Sequence, residues 1–188
     1  MRFCRAAIPA LILAFWFAAR AQSQATPRSA SERFLIDHNR IFVELRFVRP
    51  DGSIRKALAF MDSGDPNFEF SASLAKELGL DKNNPIRARF GRMNLDVDPK
   101  IVASADEGKS MFAGMVVEAN LPSTVLDKYG VTLDYGNRIL TLASPASLKH
   151  EGVRIPCKVN SKTGLISVQA EIDGESYALA IDSGSAYT

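Results

Sequence analysis

Two short stretches of this chain place a carboxylate, a hydroxyl and a glycine in direct succession. They are Asp62-Ser63-Gly64 in "KALAFMDSGDPNF" and Asp182-Ser183-Gly184 in "YALAIDSGSAYT". Each aspartate ends an apolar run, Leu58 to Met61 in the first case and Leu179 to Ile181 in the second. One such tripeptide is an ordinary turn, in which Asp accepts a backbone N–H and Gly supplies an unusual φ. Two copies, 120 residues apart, permit chemistry. A carboxylate at the mouth of an apolar strand is costly to ionise unless it is hydrogen-bonded. If a pseudo-twofold axis brings the loops together, two like charges share one site and retain one proton between them. The charged member can then take a proton from water while the protonated member hydrogen-bonds a carbonyl. Ser63 and Ser183 are expected to hold the carboxylates in plane, and Gly64 and Gly184 to let the loop backbones approach.

The flanking patterns predict the elements that must position these loops. "IFVELRF" alternates apolar and polar residues as a half-buried strand does, "RPDGS" (Arg49 to Ser53) reverses the chain, and "IRKALAFM" returns to Asp62. That return strand is continuously apolar at its end, so both of its faces should be buried there. Ser71 or Ser73 can cap a short helix carrying Leu74 and Leu78, with Gly79 closing it. Residues 86–117 suggest several short strands. "LPSTVLDKYG" reads as a second short helix, and "VTLDYGNRILTLA" as a hairpin about a Gly136-Asn137 turn. The pattern then restarts: "LISVQAEI" alternates, Asp173-Gly174 turns, and "SYALAI" runs into Asp182. This is an internal repeat of strand, turn, apolar strand and acidic turn. Many short strands with turn signals predict an all-β barrel or sandwich.

The remaining composition narrows the field. Residues 1–21, with Arg2 and Arg5 before "AAIPALILAFWFAA" and an "ARA" exit, read as a secretory signal peptide, giving an exported, periplasmic or secreted protein with no stable membrane span after cleavage. Residues 22–33 read as a flexible leader. Removing Arg2, Arg5 and Arg20 leaves 20 basic against 21 acidic residues, a net charge near −1 rather than +2, so no basic patch argues for nucleic acid. Cys4 leaves with the signal peptide, so Cys157 is expected to be a lone, buried strand residue rather than half of a disulfide. His38 and His150 are far apart and lack metal-ligand spacing; no metal and no cofactor is expected. No Gly-x-Ser-x-Gly elbow or phosphate-binding glycine loop occurs. Phe42, Phe47, Phe60, Phe68 and Phe70 are expected in the core, and Asp134 beside a turn.

In order along the chain, "FMDSGDPNFEFSASLAKELGL", "LPSTVLDKYGVTLDYGNRILTLA" and "AIDSGSAYT" resemble the bacterial retropepsin-like aspartyl proteases, relatives of the retroviral and pepsin-like enzymes. The resemblance implies an all-β acid-protease barrel with short helices. It implies a first lobe over residues 34–148 and the start of a second, incomplete, similar lobe over 152–188. It also implies peptide-bond hydrolysis without a cofactor, catalytic Asp62 and Asp182, and Ser63 and Ser183 as their hydrogen-bonding neighbours. Family members carry a small residue after the glycine; Ser185 fits, whereas Asp65 is expected to extend the turn with Pro66. The expected partner is a peptide or protein substrate. Two alternatives remain open: a homodimer pairing Asp62 from each chain, with residues 153–188 as an arm, and a non-catalytic peptide- or envelope-binding module on the same fold.

Overall fold

In a computed structural model the described residues are 28–80, 86–105, 112, 114–148 and 151–185. They form β1 (Ser29–Asp37), β2 (Arg40–Val48), β3 (Ile54–Asp62), β4 (Phe68–Ser71), α1 (Ala72–Leu78), β5 (Ala88–Phe90), β6 (Met93–Asn94), β7 (Val102–Ala105), β8 (Ala119–Pro122), α2 (Ser123–Leu126), β9 (Gly130–Asp134), β10 (Ile139–Ala143), β11 (Cys157–Val159), β12 (Ile166–Ile172) and β13 (Glu175–Ile181). The fold is therefore all-β, with two short α-helices among the described residues. β1 to β10 make one sheet in the order β7-β4-β8-β3-β2-β1-β10-β9, with β5 and β6 branching from β2, and β11 to β13 make a second.

The first sheet has a large apolar core on one face and a smaller cluster on the other, because β2 and β3 present apolar side chains to both faces. Val43, Leu45 and Phe47 of β2 and Ala57, Ala59 and Met61 of β3 face one side. They meet Phe68, Phe70, Leu74, Leu78, Phe90, Leu121, Val125, Leu140 and Leu142. Phe42 and Phe60 face the other side, where Phe112 packs edge-on against Phe42 with ring centroids 5.0 Å apart. All five phenylalanines expected in the core are buried there. α1 starts at Ser71, whose hydroxyl accepts the Leu74 N–H at 3.2 Å, and ends at Gly79 with φ 60°. Arg55 pairs with Glu77 and Glu118 at 3.0 and 2.7 Å, tying the start of β3 to α1 and to the segment before β8.

Three expectations are corrected. The leader to residue 33 joins the fold at Ser29, because residues 29–33 pair with β10, and Ser31 meets Thr141 hydroxyl to hydroxyl at 2.7 Å. The β9–β10 reversal is a four-residue loop rather than a two-residue one. Asp134 pairs with Ile139, and its carboxylate accepts the Asn137 N–H at 2.9 Å, which sets Arg138 at φ 55°. Cys157 is a strand residue but an exposed one.

The reason for that exposure is the environment of the second sheet. β12 and β13 repeat the register of β2 and β3: Leu179 opposes Val168 and Tyr177 opposes Ala170, as Ala59 opposes Val43 and Ala57 opposes Leu45. Side chains on paired residues share a face. Val168, Ala170, Ile172, Tyr177, Leu179 and Ile181 thus form a face matching one that is fully buried in the first sheet. Yet Ile181 is 47% exposed and Tyr177 43%, where Met61 and Ala57 are 5% and 4%. Among the described residues nothing covers this face as β4, α1 and β8 cover its counterpart. Phe70→Ala should therefore lower the unfolding free energy by about 3–5 kcal/mol, whereas Leu179→Ala should change it by under about 0.5 kcal/mol. Urea unfolding of the two variants checks the contrast.

Candidate active site

β3 ends at Asp62 and β13 ends at Ile181, directly before Asp182, and the two loops that carry the aspartates are in contact. Sequence separation gives no hint of this; four reciprocal hydrogen bonds produce it. The Ser63 N–H donates to the Ser183 hydroxyl at 3.1 Å, and the Ser183 N–H donates to the Ser63 hydroxyl at 3.0 Å. Each hydroxyl in turn donates to the carbonyl preceding the opposite aspartate, Ser63 to Ile181 at 2.9 Å and Ser183 to Met61 at 3.0 Å. The serines therefore do not brace their own carboxylates in plane, as the sequence suggested. They cross over and lock the opposite backbone. A hydroxyl is suited to this because it donates and accepts at once.

Gly64 and Gly184 are required by this contact rather than by their backbone angles, since neither adopts a positive φ. A Cβ on Gly64 would lie 2.5 Å from the Asp182 carboxyl carbon, and one on Gly184 would lie 2.5 Å from that of Asp62. Each carboxylate thus rests over the opposite glycine. Asp62 Oδ1 accepts the N–H groups of Gly64 and Asp65 at 3.0 and 3.1 Å, and Asp182 Oδ1 accepts that of Gly184 at 2.8 Å. Burial holds the Asp62 carboxyl above the ordinary Asp range. The neighbouring Asp182 and Asp65 carboxylates push it the same way, and the two amide donors oppose without cancelling.

Three residues that sequence reasoning passed over complete the site. Arg40, at the start of β2, donates through Nε to the Gly184 carbonyl at 3.1 Å, and its guanidinium lies 5.2 Å from the centre of the Phe112 ring. Ser123 caps the Asp65 carbonyl with both its N–H and its hydroxyl, at 2.9 and 2.8 Å, and its hydroxyl also contacts the Thr163 carbonyl. Asn120 is 1% exposed. Its side chain accepts the Glu69 N–H at 2.8 Å and donates to the Asn67 carbonyl at 2.9 Å. A polar residue inside the otherwise apolar "ANLP" strand was the one signal that could have flagged it. As expected, Asp65 extends the turn: its Oδ1 accepts the Asn67 N–H at 2.8 Å. His38 occupies an exposed turn at φ 46°, and His150 lies outside the described residues. No group of three or more His, Cys, Asp or Glu suited to a metal ion occurs among the described residues.

No protein-family model matches the chain, and no curated protein matches it. Among solved structures it is similar to a retropepsin-like aspartic protease from Rickettsia conorii. The identity is 12% and the TM-score 0.38, over 62% of this chain and 91% of that one. What the site can do is therefore decided by its own geometry.

The raised Asp62 carboxyl has a consequence for stability. The folded protein binds this proton more tightly than the unfolded chain does, so the favourable contribution is complete below the ordinary Asp value of 3.8 and is lost as pH rises through the folded value. Asp62→Asn keeps an oxygen acceptor for the two N–H groups without the charge. Its melting temperature should exceed the parent's at pH 7, and the difference should close as pH falls below the ordinary carboxylate range. Ser63→Ala should cost about 1–3 kcal/mol, because it strands the Ser183 N–H and the Ile181 carbonyl. Thermal scans across pH and urea unfolding check the two variants.

Proposed function

We propose that the protein is an exported aspartic endopeptidase that hydrolyses peptide bonds through a water held between Asp62 and Asp182. The observation that carries this reading is the reciprocal serine pairing, which sets a half-buried Asp62 and an exposed Asp182 against opposite glycines. Two acids that close cannot both ionise easily, so the pair holds one proton at working pH. The ionised member takes a proton from the water as it attacks the scissile carbonyl carbon. The protonated member hydrogen-bonds the carbonyl oxygen and stabilises the charge that develops there. Both groups are fixed by backbone N–H donors, so little reorganisation is needed during the reaction. An extended peptide is the fitting substrate, bound largely through strand-like main-chain hydrogen bonds.

This reading takes residues 34–148 as one lobe and 152–188 as the start of a second. Its support is the shared register of β2–β3 and β12–β13 and the shared Asp-Ser-Gly at the end of each pair. The open apolar face of the second sheet then calls for a layer with the chemistry that β4, α1 and β8 give the first. Export rests on the apolar segment and "ARA" exit within residues 1–21. No helix among the described residues is long and apolar enough to cross a membrane. The place that a second copy's Asp62 would fill in a homodimer is taken here by Asp182 of the same chain, which favours the intramolecular pair. One observation favours a non-catalytic binding module instead: the same open face is a surface on which a partner could dock.

Cleavage of an unfolded protein substrate across acidic to neutral pH separates these readings. Asp62→Asn and Asp182→Asn should each lower kcat/KM by about 10²–10⁴-fold while leaving the fold intact by circular dichroism. Retained activity in Asp182→Asn would support the homodimer. Partner binding that survives both changes, with no cleavage by the parent protein, would support the binding module.

A further inference from the structure

The two acidic loops share one grip but differ in the residue after the glycine. At that position the second loop carries Ser185 and the first carries Asp65. Asp65 is held at every polar atom. Its N–H donates to Asp62 Oδ1 at 3.1 Å, and its carbonyl accepts both donors of Ser123. Its carboxylate accepts the Asn67 N–H at 2.8 Å and faces the Asn120 amide nitrogen at 3.4 Å. Asn120 is buried, and its other contacts, to the Glu69 N–H and the Asn67 carbonyl, fix the amide in one orientation. The third carboxylate therefore cannot swing out to solvent, as a surface acid would, without breaking this set. Glu69 on β4 adds a fourth acid on the same side, and the electrostatics of Asp65 and Asp62 reach it. Among the described residues, the charged groups around Asp62 are thus Asp65 on its own loop, Glu69 on β4 and Asp182 from the β13 loop. Arg40 from β2 is engaged with Gly184 on the Asp182 side.

We propose that Asp65, fixed by Asn120, is a positioning residue that makes the aspartate pair asymmetric: it keeps the shared proton on Asp62 and leaves Asp182 as the base that activates water. The role given to Asp182 rests on the hydrolytic reading above; the location of the proton does not. Negative charge anchored beside one member of a coupled pair favours the protonated form of that member over the other. Burial of Asp62 acts in the same sense. No comparable acid comes after Gly184, where the residue is Ser185.

The test reads protonation directly. Carboxyl 13C NMR titration of the full chain tracks Asp62 and Asp182 separately, alongside Asp65→Asn, which keeps the shape and removes the charge, and Asp65→Ser, which copies the second loop. In the parent protein Asp62 should report a protonated carboxyl at pH values where Asp182 reports a carboxylate. In both variants the Asp62 transition should move to lower pH. Where cleavage is measurable, the alkaline limb of its pH profile should move the same way. A merely structural role for Asp65 would lower activity at every pH and leave the limb in place. The proposal is overturned if Asp182 takes the proton first, or if the Asp62 transition is unmoved in two folded variants. A protein that titrates as expected and cleaves nothing upholds the asymmetry and overturns the hydrolytic reading.

Discussion

The reciprocal pairing of Ser63 and Ser183 is the constraint on which the rest of the site depends. It satisfies two backbone N–H groups and two carbonyls where the strands give way to the loops. It depends on each loop carrying its serine directly after the aspartate, so that each hydroxyl meets the opposite serine N–H and the carbonyl before the opposite aspartate. It also fixes the residue after each serine. Any side chain at Gly64 or Gly184 would occupy the volume of the opposite carboxyl group. The Asp-Ser-Gly sequence is thus a set of three dependent choices. The acid caps its own turn, the hydroxyl crosses to the other, and the glycine makes room for the other acid.

Around that grip the two halves of the chain supply unequal support. The first half surrounds its loop with a closed core, a buried amide at Asn120 and a double cap from Ser123. Its aspartate is correspondingly the more enclosed, and it is the one whose carboxyl is pushed upward. The second half reaches the site through β13, the Arg40 contact to the Gly184 carbonyl and the Ser123 contact to Thr163. Gly164, at φ 70°, brings that last turn so close that a Cβ would sit 3.0 Å from the Ser123 carbonyl. These polar contacts bring the second loop to the first without a shared apolar core. The symmetry of the serine pairing is therefore local, and the environments of the two acids are not equivalent.

Strand-level features were legible because alternation is a local property. β2, β3, β12 and β13, the Asp173-Gly174 turn, the α1 cap at Ser71 and the closing Gly79 all arise from neighbouring residues. Less legible were features that depend on distant partners. Residues 29–33 look like a polar tail in isolation, but pairing with β10 makes them a strand. The hairpin at Gly136-Asn137 takes two more residues than its composition suggested, because the Asp134 carboxylate organises the loop. Cys157 lies on an apolar stripe that implies burial, yet burial requires a covering layer, and alternation says nothing of one.

The sequence by itself determined that two acids would end two apolar strands, each with a hydroxyl and a glycine directly after it, because those strands and turns are specified by adjacent residues. It also determined that the halves would share a register, since a period of two fixes which side chains share a face. Only the tertiary structure decided that the serines reach across rather than inward, that Asn120 and Ser123 hold the first loop, and that Asp65 is anchored beside Asp62 instead of pointing to water. Apart from the local bonds of Asp65 to Asp62 and Asn67, those outcomes depend on contacts between residues 51 to 122 positions apart. Backbone donors and acceptors at such separations choose partners only when folding brings them within hydrogen-bond reach.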